Sequence, residues 1–226
     1  MIDPGEKGSN GSQCRRCGEC CRKGGPALHF EDLQILQEGN IGYQHLTTIR
    51  KGEFAYSPLS ERFEPTNREL VKLSGQAGEW TCCFFDAVVS GCNIYSHRPV
   101  ECRLLNCSDP SAVKEIIGQS TLARKDIINP EDPLLQIIED HDRECSCEVV
   151  NGLVSVLEKG EHVAQNMEEL TRLVRHDLEI RGQAIKKYGL SLERELFALG
   201  RPLFLLLSAR GFVVEEKEGE IYVYRK

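Results

Sequence analysis

The sequence predicts an α+β protein, mainly helical with short strands. A cysteine-rich N-terminal half precedes a helical C-terminal half that ends in a small β-hairpin. Three observations predict this. The cysteines crowd between Cys14 and Cys107. Apolar residues then recur at three-, four- and seven-residue steps from Glu161 to Tyr188, the period of an amphipathic helix. The last stretch, Gly211 to Arg225, alternates as strands do around a Glu218-Gly219 turn.

The elements follow in order. Residues 1–13 are polar and Gly-containing, a flexible lead-in. Residues 14–110 form a cysteine-cluster domain, and 111–226 a helical region with the terminal hairpin. Leu33 and Leu36 predict a short helix over Glu31 to Gln37. Gln44 to Arg50 is expected as another. Glu69 to Leu73 and Glu79 to Phe85 are expected to pair as short strands around Ser74 to Gly78. Asp109 reads as an N-cap with Pro110 at the first helical position, and Val113, Ile116 and Ile117 as that helix's apolar face. A second helical stretch ends at Asn129-Pro130. A third opens at Glu131-Asp132-Pro133 with Leu134, Leu135, Ile137 and Ile138 facing a core. Val163, Met167, Leu170, Val174, Leu178, Ile185 and Tyr188 define the long helix, which Gly189 stops. Ser191 caps the next, rich in leucine from Leu192 to Leu207, with Pro202 as a kink. That leucine stripe reads as core or as a dimer face.

Composition narrows the function. The chain has 226 residues, enough for one or two domains with a buried core. No run approaches the roughly 18 apolar residues of a membrane span. Met1 to Gln13 resembles neither a signal peptide nor an anchor. A cytoplasmic protein is expected, with no membrane partner and with reduced cysteines. Net charge is −7, which argues against nucleic acid as a partner. No GxGxxG, P-loop, HExxH or Ser-His-Asp pattern stands out.

The 11 cysteines carry the chemistry. Cys14, Cys17, Cys20 and Cys21 form a CxxCxxCC run. A two-residue gap turns the chain so that both sulfurs face one point, and it aims backbone N–H groups at them. Four cysteines so close together are strong evidence for metal. Cys82, Cys83, Cys92, Cys102 and Cys107 form a second group on longer gaps, expected to fold back on the first. Cys145 and Cys147 follow His141 and Asp142; surface or packed thiols are the favoured reading there, a further metal site or late ligands to the main site the others. His29, His45, His162 and His176 read as surface or capping residues.

These blocks, with Cys82-Cys83-Phe84-Phe85-Asp86, Cys92-Asn93-Ile94-Tyr95-Ser96-His97-Arg98-Pro99 and Cys102-Arg103, resemble the YkgJ-type cysteine-cluster family, zinc- or iron-chelating in description. The resemblance covers Cys14 to Cys107. It implies metal ligation by Cys14, Cys17, Cys20, Cys21, Cys82, Cys92, Cys102 and Cys107. The family usually has proline where Cys83 stands, so Cys83 is either a ninth thiol at the site or a ligand displaced by one residue. Arg98 and Arg103 are candidates to offset thiolate charge or to make surface salt bridges. Tyr95 is expected to pack and Asp86 to serve a turn.

The metal stays open between an iron–sulfur cluster and zinc. All-thiolate ligation, the ferredoxin-like CxxCxxC and the adjacent Cys20-Cys21 pair favour iron–sulfur; the absence of a closing Cys-Pro does not. Two functions are compatible. One is a metal- or cluster-binding protein serving electron transfer with a redox partner protein, metal handling or fold stability. The other is a cluster-dependent enzyme, redox or methyl-transferring, since flagellin lysine methylases carry a similar cysteine cluster.

Overall fold

The computed structural model describes residues 14, 16–76 and 78–225. The lead-in expected over 1–13 lies outside the described residues. The architecture is α+β and mainly helical, as expected, and its strands form four two-stranded antiparallel ladders.

The first half is built of short pieces. One helical turn, α1 (Glu19–Arg22), follows the CxxCxxCC run, and α2 (Leu33–Gln37) follows a 3-10 turn. Strand β1 (Leu46–Ile49) pairs with β4 (Leu70–Leu73), and an inner hairpin, β2 (Phe54–Ser57) with β3 (Arg62–Pro65), projects from between them. Then come β5 (Phe85–Asp86) against β6 (Gly91–Cys92), α3 (Val100–Leu104), α4 (Ser111–Ile116) and α5 (Arg124–Ile127).

The second half holds the long elements. These are α6 (Leu134–Glu144), α7 (Cys147–Glu158), α8 (Val163–Tyr188), α9 (Leu192–Leu199) and α10 (Leu203–Ser208), followed by the hairpin β7 (Phe212–Lys217) and β8 (Glu220–Arg225). Gly189 ends α8 at φ 60°, and Ser191 Oγ accepts the Arg194 N–H at the start of α9 (3.4 Å), which satisfies one of the orphan donors of a helix start.

Four local expectations are corrected. Gln44 to Arg50 is a 3-10 turn (Tyr43–His45) and then β1, because β-branched Thr47, Thr48 and Ile49 find a partner strand in β4. Glu79 to Phe85 is not β4's partner; it touches that region only through a single bridge from Gly75 to Cys82. Asp109 does cap, with Oδ1 accepting the Ser111 N–H (3.1 Å), but α4 begins one residue later than expected. Pro202 does not kink a helix: Gly200 at φ 66° breaks the chain, and Pro202 sits before a separate α10.

Two apolar clusters fill the interior. One joins Leu28, Leu46, Val71 and Leu122 of the first half to Leu134, Ile138, Ala184, Phe197 and Leu199 of the second. The other packs α7, α8 and α10 under the terminal hairpin through Val154, Leu170, Val174, Leu203, Phe212 and Val223. From the leucine stripe, Leu199, Leu203 and Leu207 are core, while Leu192 and Leu205 are exposed.

A buried polar network crosses between the halves. The carbonyls at the end of α9 have no intrahelical donor. Phe197 O accepts Thr48 Oγ1–H, Ala198 O accepts Arg124 Nη1–H, and Leu199 O accepts Arg181 Nη2–H. Arg124 also meets Glu69 and Asp142, and Arg181 meets Asp177 and Glu195. Asp177 accepts His141 Nε2–H at 2.6 Å and the Leu203 N–H at 2.9 Å.

Candidate metal centre

The CxxCxxCC run turns on Gly18, held at φ 76° just before α1. A Cβ there would lie 2.3 Å from Phe85 Cζ, so the turn between Cys17 and Cys20 requires glycine. The two cysteine groups are joined through backbone: the Cys82 N–H donates to Cys21 O (2.8 Å), and Cys92 on β6 lies opposite Phe85 on β5. Buried Asp32 fixes α3, which carries Cys102. Its Oδ1 accepts the Val100 N–H (2.8 Å) and its Oδ2 the His29 N–H (3.0 Å). Glu101 holds the other side, accepting from Ala27 N–H (3.1 Å) and bonding His29 Nε2 (3.0 Å).

These segments bring Cys14, Cys17, Cys20, Cys21, Cys82, Cys92, Cys102 and Cys107 to the wall of one cavity of about 200 Å³. Phe84, Phe85 and Ile94 supply apolar lining between the sulfurs. Cys83 does not line it. Its thiol points at His45 O, 3.8 Å away. It stays beside the site all the same, since its thiol also bonds that of Cys82.

Three sulfurs receive backbone donors from two residues on. The Arg16 N–H reaches Cys14 Sγ (3.4 Å), and the N–H groups of Phe84 and Ile94 serve Cys82 and Cys92. Such bonds favour the thiolate. Burial works the other way on several: it raises Cys20, Cys92 and Cys102 and pushes Cys21 up to about 12, with charge on other sulfurs adding to the rise, while Cys21 partly offsets it at Cys20. The Cys83 thiol, followed by the Phe84 N–H and Lys72, brings Cys82 down to about 7 against burial, and Cys83 is raised in return. A soft cation answers this arrangement, since it replaces the protons of crowded thiols and cancels their repulsion.

Charge of the right sign stands at the rim. Arg16 and Arg98 line the cavity, with their guanidinium carbons 4.2 and 3.7 Å from the centre of the Tyr95 ring. Arg98 also lowers the pKa of Cys92. Arg103 instead donates to Arg98 O (2.9 Å) and lies 3.9 Å from Glu31 on the surface. Asp86 serves a turn, accepting the Val88 and Val89 N–H groups.

Cys145 and Cys147 are buried far from this cavity's lining, pushed up by burial to about 12 and about 11. His141, Cys145 and Asp177 place donor atoms within 4.8 Å of one another. Two guanidiniums already occupy that neighbourhood: Arg50 lies 3.4 Å from His141 Nδ1, and Arg181 bonds Asp177. The carboxylate is neutralised there, and the group works as a hydrogen-bond network. Of the isolated histidines, His29 is buried on Glu101, His45 packs at a tilt against Phe84, and His176 bonds Glu144. The roles of Asp32, His29 and Glu101 were not apparent in the sequence, although His29 and Asp32 have the spacing of a reciprocal cap.

A hollow walled by soft sulfur donors from four stretches of chain defines a class, the thiolate metal-chelating domains. Residues 13–129, just over half of the chain, match the CxxCxxCC family model, described as "Putative zinc- or iron-chelating domain", and the chain belongs to that family. No curated protein and no solved structure matches the chain.

Proposed function

We propose that this chain is a cytoplasmic metal-binding protein whose centre is an iron–sulfur cluster, held by thiolates drawn from Cys14, Cys17, Cys20, Cys21, Cys82, Cys92, Cys102 and Cys107. The observation that carries this reading is the convergence of those eight cysteines on one cavity. The donor set supports it chemically. All-sulfur ligation suits iron–sulfur clusters and zinc, and it excludes calcium and magnesium, which take oxygen.

A bound cluster would supply one-electron chemistry. The chain's own residues would tune it. The N–H groups of Arg16, Phe84 and Ile94 hold sulfur negative charge, Arg16 and Arg98 offset it, and Phe84, Phe85 and Ile94 keep water from part of the wall. Zinc bound by four thiolates would instead make the centre structural.

Anaerobic purification with iron, zinc and acid-labile sulfide analysis, and a visible absorption spectrum, tests this. Iron with matching sulfide and a broad charge-transfer absorption is the expected result. Colourless protein holding zinc and no sulfide would replace the cluster with a structural ion. Protein with no metal would remove the reading altogether.

A further inference from the structure

A second hollow opens beside the cysteine cavity. It is a cleft of about 1410 Å³ that shares Gly25 and Glu101 with the cavity. Small-molecule pockets span roughly 300–1,000 Å³, so the cleft suits a longer occupant. The β2–β3 hairpin lines one side, and α7 with the end of α10 lines the other. Tyr56, Leu59, Phe63 and Trp80 stand on its lining, each more than half exposed.

Its charge runs against that of the whole chain. Arg22, Lys23, Arg68, Lys72, Arg201 and Arg210 line it, opposed by Glu53, Glu64 and Glu101. All three carboxylates are already engaged, by Arg201, Arg62 and His29 respectively. Among the cations Arg201 and Arg210 pair with Glu53 and Glu158. Arg22, Lys23 and Arg68 have no carboxylate partner among the described residues, whereas Lys72 is half-buried beside Glu101. Arg210 also keeps a buried Nη1 without a hydrogen-bond partner. A protein of net charge −7 thus gathers three exposed, unpaired cations along one groove.

We propose that this cleft docks an extended acidic segment of a partner polypeptide. Its carboxylates meet Arg22, Lys23 and Arg68, and its apolar side chains cover Tyr56, Phe63 and Trp80. Two features favour a peptide over a nucleic acid. Among the described residues, strands β2 and β3 pair only with each other, which offers backbone for strand addition beyond the Phe54 carbonyl that Arg201 already bonds. A chain of net charge −7 also repels a dense polyanion more than a sparsely charged peptide. Docked there, the partner passes the mouth of the cysteine cavity at Gly25 and Glu101.

The test is fluorescence anisotropy on the full chain with a labelled peptide alternating Glu and Tyr, a matching Lys and Tyr peptide, and single-stranded oligouridine. Lys23, Arg68 and Trp80 are exposed, so K23E/R68E and W80A variants keep the fold, which circular dichroism verifies. The expected result is saturable binding of the acidic peptide, weakened at least about tenfold in K23E/R68E and by added salt, weakened in W80A, and absent for the basic peptide. No saturable binding, binding equal in wild type and K23E/R68E, or preference for oligouridine would overturn the proposal. Metal content is measured on the same samples, so a failure of peptide docking and a failure of metal binding are read separately.

Discussion

Acid should destabilise this protein through His141 before its exposed carboxylates titrate. His141 is fully buried. Burial first, and then repulsion from Arg50 and Arg181, lower its pKa from 6.5 to about 4, against the pull of Asp177. The unfolded chain therefore binds more protons than the folded one between those values. Stability is complete above pH 6.5 and is lost as pH falls toward 4. At about 1.36 kcal/mol for each tenfold change in proton affinity, the loss is about 3 kcal/mol. That is a large share of the 5–15 kcal/mol typical of a domain. The assay is urea unfolding followed by far-ultraviolet circular dichroism, from pH 7 to pH 4, on wild type and His141→Gln. The glutamine keeps a donor for Asp177 and cannot take a proton. Metal release at low pH acts on both proteins alike, so the difference between their stability curves isolates the histidine. Wild type should fall by about 3 kcal/mol relative to the variant. Parallel curves would refute the reasoning.

Other consequences are equally direct. Cys83→Ser should leave metal content unchanged, whereas Cys82→Ser should lower it; metal analysis of the two purified variants decides, and equal losses would place both thiols at the centre. Arg124→Met removes one partner from Glu69, Asp142 and the Ala198 carbonyl, and should cost about 3–5 kcal/mol in denaturant unfolding, the range for breaking a buried ion pair. Gly18→Ala should lower metal retention with little change in helix content, because the added Cβ meets the Phe85 and Arg22 side chains beside the Cys17–Cys20 turn; retention like wild type would show that the turn tolerates a Cβ. Leu203→Ala should cost about 2–5 kcal/mol as a cavity between α8 and α10, read by the same unfolding assay.

What could be read from the sequence follows how local each feature is. Helix α8 was legible nearly to the residue, since its 26 residues repeat one apolar face and end at Gly189. The terminal hairpin was legible because both strands and the turn are contiguous. Strand β1 was not, because its partner β4 lies 24 residues on, and nothing local tells Thr47-Thr48 from a helical turn. Helix α7 went unrecognised, with Gly152 interrupting its middle. The cysteines were legible as a group because thiols at fixed spacing have few other uses in a reduced protein. The role of Cys83 was not, since its contacts with His45 O and the Cys82 thiol arise only in the folded chain. The basic cleft was invisible for a related reason: its cations come from positions as distant as Arg22 and Arg210, and total charge hides such a patch.

The end of α9 bears on modularity. Its last three carbonyls take their donors from Thr48, Arg124 and Arg181. Two of those donors lie within residues 13–129, the stretch matched by the family model, and their acceptors lie outside it. Excised at Asn129, that stretch would lose the Phe197 acceptor of Thr48 and the Ala198 and Asp142 acceptors of Arg124, leaving Arg124 only Glu69. It would also present Leu46, Val71 and Leu122 to solvent where Phe197 and Leu199 now cover them. In this chain the chelating module is therefore grafted onto its helical neighbour, and moving it into another protein would require carrying α9 along.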